Sequence, residues 1–167
     1  MLFSKVNSLT QVVLIGTSHT IQRDFTRPDF REYINKNISK HNVDAIAEVI
    51  DVSDSVVSGI AVHLGIEYKI IEPNEQERIA LGIESLNQIE NSIFMEFDDN
   101  ESPEASAESE ARKKSTFRTR EKEWLKRLKA MQGKQLLVIC GANHITPFCE
   151  LLKNSYFNVV VECELWE

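Results

Sequence analysis

The chain of 167 residues contains no apolar run approaching the roughly 20 residues that span a bilayer. Its first residues, Met1-Leu2-Phe3-Ser4-Lys5, lack the basic-then-apolar order of a secretory signal. Both absences point to a cytoplasmic protein with no membrane partner. Cysteine is scarce and odd in number. Cys140, Cys149 and Cys163 show no Cys-x-x-Cys spacing, which leaves buried, reduced thiols as the reading. None of the six glycines builds the Gly-rich turn of a nucleotide-binding protein. A Gly-x-Ser-x-Gly elbow is also missing, so Ser18 is not read as a serine nucleophile. Positive charge is in deficit, with 19 Lys and Arg against 26 Asp and Glu. The net charge of −7 argues against a general nucleic-acid binder, because phosphate affinity comes mainly from Lys and Arg. Basic residues do gather between Arg112 and Lys134, which leaves room for a small anionic substrate.

What is present is an ordinary globular composition, 42% hydrophobic and 27% charged, over a length that suits one domain with a substantial core. Two short segments stand out. Val12-Val13-Leu14-Ile15-Gly16-Thr17-Ser18-His19 and Leu137-Val138-Ile139-Cys140-Gly141-Ala142-Asn143-His144 share one pattern: an apolar run, a glycine, and a histidine three residues later. Such runs bounded by glycine read as buried parallel strands. Their histidines then fall on carboxyl-end loops, the edge of an open α/β sheet where ligands bind.

The rest of the chain alternates in the same manner. A strand over Gln11–Ile15 precedes a polar loop and a helix over Pro28–Lys40, which Pro28 suits as a first-turn residue. A second strand covers Val43–Val49. The next helix carries Val56, Val57, Ile60, Ala61 and Leu64, is capped by Ser53 or Asp54, and ends at Gly65. A third strand follows over Ile66–Ile71. The order β-α-β-α-β predicts a single three-layer α/β domain over residues 1–167 with a mostly parallel sheet of about five strands. Residues 74–90 permit helix with a break near Gly82. Residues 97–115 turn acidic and poor in large apolar side chains, and are read as a mobile loop within the domain. An amphipathic helix over Thr116–Gln132 is stopped by Gly133. A fourth strand over Gln135–Cys140, a short helix over Thr146–Asn154 and a fifth strand over Phe157–Cys163 complete the pattern.

With the strand order 3-2-1-4-5, strands one and four meet at the topological switch point. His19 and His144 would then face one crevice, with Glu48 on the same edge and Arg120 arriving from the preceding helix. Two histidines, a carboxylate and an arginine suit either metal binding or direct acid–base chemistry.

Gly16-Thr17-Ser18-His19 resembles the Gly-Thr-x-His motif of the TraB/Tiki-type superfamily, which includes GumN-like, ChaN-like and erythromycin-esterase-like proteins. Gly141-Ala142-Asn143-His144 is similar to the second Gly-x-x-His motif of that superfamily. Arg120-Glu121-Lys122-Glu123-Trp124 resembles its Arg-Asn/Asp-x-x-Met motif, with Glu121 and Trp124 as departures, and Glu48 takes the place of a family acidic residue. The resemblance spans residues 11 to 163. It implies a two-part α/β fold with a central pocket and hydrolysis of peptide or ester bonds, metal-dependent in some members and metal-independent in others. On that resemblance, His19, Glu48, Arg120 and His144 are the catalytic candidates. His19, Glu48 and His144 either bind a divalent metal ion that activates water or act as general base and orienter. Arg120 would hold a substrate carboxylate or stabilise an oxyanion. The expected partner is a small-molecule or peptide substrate, and exposed sheet edges would allow a homodimer. The rival reading is a non-catalytic regulatory protein that senses a small ligand or peptide. His41 and His63 lie near helix ends, where the negative end of the dipole suits them, and receive no ligand role.

Overall fold

The computed structural model describes residues 9–131 and 134–167. Gly133, the expected stop of the long helix, lies outside them. The described chain resolves into two compact units, one formed by residues 9–72 with 125–131 and 134–167, and one by residues 73–124.

The first unit holds the sheet. Its strands are β1 (Gln11–Thr17), β2 (Ala45–Glu48), β3 (Glu67–Ile70), β4 (Gln135–Gly141) and β5 (Asn158–Cys163), all parallel. The α/β class and the five-stranded parallel sheet are as expected from the sequence. The helices of this unit are α1 (His19–Gln22), α2 (Pro28–Lys40), α3 (Val56–Leu64) and α7 (Ile145–Asn154). The labels α4 (Glu75–Ala80), α5 (Leu86–Phe97) and α6 (Pro103–Lys129) belong to the segment between, with the last residues of α6 returning to the first unit. Among the described residues no helix is long and apolar enough to cross a membrane.

Alternation along β1 explains the layering. Val13 and Ile15 join Ile46, Leu137 and Ile139 in a buried cluster with Phe30, Ile34 and Ile38 of α2 and Val56, Val57 and Ile60 of α3. Successive strand residues point to opposite faces. Accordingly a Cβ on Gly16 would point toward Ile145 of α7. Helices thus cover both faces, as an all-parallel sheet requires.

The strand order is β3-β2-β4-β1-β5, not 3-2-1-4-5. β1 and β4 are neighbours as expected, but β4 also pairs with β2, and β5 pairs with β1. Contacts outside the strand runs seat them so. Asp44 N–H donates to the Gln135 carbonyl and the Asp44 carboxylate accepts from Gln135 N–H, joining the start of β2 to that of β4. At the other side the chain after β5 crosses the end of β1. Trp166 N–H donates to the Gly16 carbonyl at 2.7 Å, and the Thr17 hydroxyl donates to the Trp166 carbonyl at 2.9 Å. The Trp166 ring packs on Phe30 and Tyr33 and lies under the Arg27 guanidinium. Hydrophobic runs alone do not encode these contacts.

The two glycines of the paired motifs therefore do different work. A Cβ on Gly16 would sit 2.0 Å from the Glu164 carbonyl oxygen, so glycine is required by the approach of this crossing chain. A Cβ on Gly141 would meet only His144 Cδ2 at 3.6 Å, and its φ of −60° suits any L-residue. Gly141→Ala should leave stability within about 0.5 kcal/mol of wild type in urea unfolding. A loss of several times that size would show that Gly141 is also crowded.

Residues 97–115 correct the sequence reading. Helix α6 begins at Pro103, not Thr116, and no loop extends to 115. Ser102 Oγ accepts from Ala105 N–H, and Pro103 occupies the first helical position. In this second unit Ile89, Ile93 and Ala105 make a small buried cluster. Arg112 makes two hydrogen bonds to Glu96, at 3.0 and 2.6 Å, and one to Glu108 at 2.8 Å. The segment lacks large apolar residues because ion pairs, good helix formers and a short apolar contact suffice here.

Candidate functional site

The register of β1 on β4 sets the candidate site. Thr17 lies beside Gly141, so the two Gly-x-x-His segments leave the sheet from adjacent strands at the same level. On the far side of β4, Glu48 lies beside Ile139. The carboxyl edge therefore presents β2, β4 and β1 in succession, each delivering one of the expected residues. His19 is exposed at the first residue of α1, whose N-cap is Ser18. His144 is buried, at the end of the 3-10 turn over Ala142–His144 that leads into α7.

Glu48 carries the best-defined chemistry. It is wholly buried, and three neutral donors converge on its carboxyl group. Gln22 Nε2 donates to Oε1 at 2.9 Å, while the Ser55 and Tyr68 hydroxyls each donate to Oε2 at 2.6 Å. Each donor is positioned by local structure. Gln22 is the last residue of α1, which places it one turn beyond His19. Ser55 is the N-cap of α3, in place of the expected Ser53 or Asp54. It forms a reciprocal capping box with Ser58, so its oxygen accepts from Ser58 N–H while its proton goes to Glu48. Tyr68 stands beside Ile46 on the neighbouring strand, two residues before the partner of Glu48. No cation pairs with Glu48 among the described residues. Burial pushes its pKa above the ordinary 4.5, against the pull of the three donors. Burial and the adjoining Glu48 raise that of Tyr68 in turn.

Gln22, Ser55 and Tyr68 were not among the residues nominated by sequence. A signal existed for Ser55, whose spacing to Ser58 at the start of an apolar helix fits a cap. Tyr68 in a strand and Gln22 in a polar loop carry no local mark of their role, since both are defined by where Glu48 lies.

Arg120 is in the second unit, where its guanidinium lies over the Phe117 and Trp124 rings. Nearby in the same unit, Arg118 pairs with the buried Glu121 at 3.0 Å. Arg23 and Asp51, on the loops after β1 and β2, form an exposed ion pair at the sheet edge. Among the described residues no group of three or more His, Cys, Asp or Glu is arranged to hold a metal ion. Glu48 in this arrangement serves as a hydrogen-bond acceptor, with both carboxyl oxygens engaged.

No family model matches the chain, and neither a curated protein nor a solved structure does.

Proposed function

We propose that the carboxyl edge of β2, β4 and β1 is the working site of a hydrolase of the TraB/Tiki type, acting on a peptide or ester bond of a small substrate. The observation that supports this reading most is the in-register adjacency of Thr17 and Gly141, which brings out both histidine segments side by side. A histidine at this edge can take the proton of the attacking water as general base. The exposed His19 is the residue for that step. His19 then gives that proton to the leaving group, and His144, held in the turn before α7, orients the substrate. Glu48 sets the electrostatic background as a buried carboxyl, and the reading assigns Arg120 no role.

The test is turnover of p-nitrophenyl esters and peptide p-nitroanilides by purified protein. His19→Ala and His144→Ala should each lower kcat/KM by about 100-fold or more, the usual scale of general acid–base catalysis and of a misplaced substrate. Metal content, and activity before and after chelation, distinguish water activated by a divalent ion from water activated by imidazole alone. Activity unchanged in both variants would remove the site from consideration.

The engagement of both Glu48 oxygens also favours a second reading, in which the edge binds a small ligand or peptide without turnover. It predicts a ligand-dependent rise in Tm with no product formed.

A further inference from the structure

Arg23 stands at the carboxyl edge, where the sequence reading expects Arg120. It closes α1, and its backbone N–H donates to the His19 carbonyl at 3.3 Å. Residues four apart on a helical turn share one face, so the Arg23 side chain leaves α1 on the side of His19. Both residues are exposed.

The guanidinium reaches along the edge of the sheet. Arg23 follows β1, and its Nη2 donates to Asp51 Oδ1 on the loop after β2. Its neighbour Gln22 bonds Glu48 at the end of β2. Because β4 lies between β1 and β2, this short segment bridges the carboxyl end of β4, from which Gly141 to His144 emerge. An arginine is charged at every working pH, and its five N–H donors form a flat fork that matches a carboxylate. Among the described residues Asp51 engages one nitrogen of that fork. The Arg23 side chain keeps 43% of its surface in contact with solvent, so a ligand reaches it without entering the protein.

We infer that Arg23 is the specificity-determining residue of this edge, and that it binds a carboxylate carried by the substrate in place of Asp51. The inference rests on the hydrolase reading of the carboxyl edge and names the class of substrate it takes. Asp51 displays the chemistry that the guanidinium accepts, since a ligand carboxylate is the same group. An exposed ion pair contributes little to stability, so exchanging Asp51 for a ligand costs the fold little. Side chains four apart on a helix start about 5–6 Å from each other. That span suits a substrate whose scissile bond is next to its carboxylate, as in an acyl amino acid or the last bond of a peptide.

The test needs no turnover. Nitrogen-15-labelled protein is titrated with N-acetylglycinate, with its neutral amide and with inorganic phosphate, all at one ionic strength. The Arg23 Nε–H and His19 ring resonances are followed, and Arg23→Gln and His19→Ala serve to assign them. N-Acetylglycinate should move both, the amide neither, and phosphate should act less than the carboxylate at equal concentration. In Arg23→Gln the apparent affinity for N-acetylglycinate should fall about tenfold, the scale of one charge-assisted hydrogen bond. Asp51→Asn removes the internal competitor, so affinity should rise about threefold, the scale of an exposed ion pair. Both changes are at exposed residues, and urea midpoints near wild type check that the fold is kept. Equal responses to N-acetylglycinate and its amide would overturn the inference, as would a stronger response to phosphate. So would resonances that no probe moves, or an affinity that Asp51→Asn fails to raise. The wild-type titration stands even if a variant does not fold. Binding of N-acetylglycinate without turnover of any acyl substrate would keep this inference and discard the hydrolase. Hydrolysis unaffected by Arg23→Gln, on substrates with and without a carboxylate, would do the reverse.

Discussion

Glu48→Ala is expected to destabilise the protein by about 3–6 kcal/mol, because the buried Gln22 and Ser55 and the partly buried Tyr68 lose their acceptor at once and each buried unmatched group costs about 1–3 kcal/mol. Typical domain stabilities are about 5–15 kcal/mol, so the variant should unfold at a much lower urea midpoint or fail to accumulate folded. A midpoint within experimental error of wild type would mean that Gln22, Ser55 and Tyr68 find other partners. Glu48→Gln is the gentler companion. Its oxygen still accepts from Ser55 and Tyr68, but its nitrogen faces Gln22 Nε2, and one amide must turn.

The same pair exposes the carboxyl's charge. A glutamate whose pKa is higher folded than unfolded binds its proton more tightly in the folded state. Its contribution to stability is therefore fully present below the unfolded value near 4.5 and is lost as pH rises through the raised folded value. Unfolding free energies of wild type and Glu48→Gln, measured across this window, should diverge. Wild type should gain relative to the variant toward pH 4.5 and lose ground as pH rises. Parallel profiles would contradict a raised pKa.

Gly16→Ala is the second large effect. Its methyl would stand 2.0 Å from the Glu164 carbonyl oxygen and 2.7 Å from Ile145 Cγ1. The first of these is backbone, so relief requires the crossing chain to move, breaking the hydrogen bonds that Trp166 makes with Gly16 and Thr17. A loss of about 3 kcal/mol is expected, the upper range for overpacking. Urea unfolding gives the energy, and Trp166 fluorescence reports whether the crossing chain has lifted. Equal stability of Gly16→Ala and Gly141→Ala would show that the segment after β5 yields easily.

The contrast between the two glycines shows where sequence stops being informative. As text, the two Gly-x-x-His segments are interchangeable, and the apolar runs before them correctly read as buried parallel strands that meet. Periodicity likewise predicts the whole of α2, and Gly65 is placed as the left-handed end of α3. What it misses are relations set by chain segments far apart. Strand order turns on Asp44 meeting Gln135 and on Trp166 meeting Gly16. The start of α6 is obscured because apolar content is a poor guide to a helix held by Arg112 and its two glutamates. Glu48 is recognisable as a carboxylate ending a strand. The reason it persists there, three donors from three separate elements, belongs to tertiary structure alone.

The placement of β1 has a consequence for the order in which this protein is made and folded. Its strand partners are residues 135–141 and 158–163, more than a hundred positions downstream. Contacts that span such separations form slowly, because the loop must close before the pairing stabilises it. During synthesis Val12, Val13, Leu14 and Ile15 therefore wait as an unpaired apolar segment until β4 emerges. β5 then pairs along its other side, and Glu164 and Trp166 pass over Gly16 at its end. A nascent chain shorter than Gln135 exposes a ready template for intermolecular strand pairing, which makes the earliest strand in the sequence among the last to be secured.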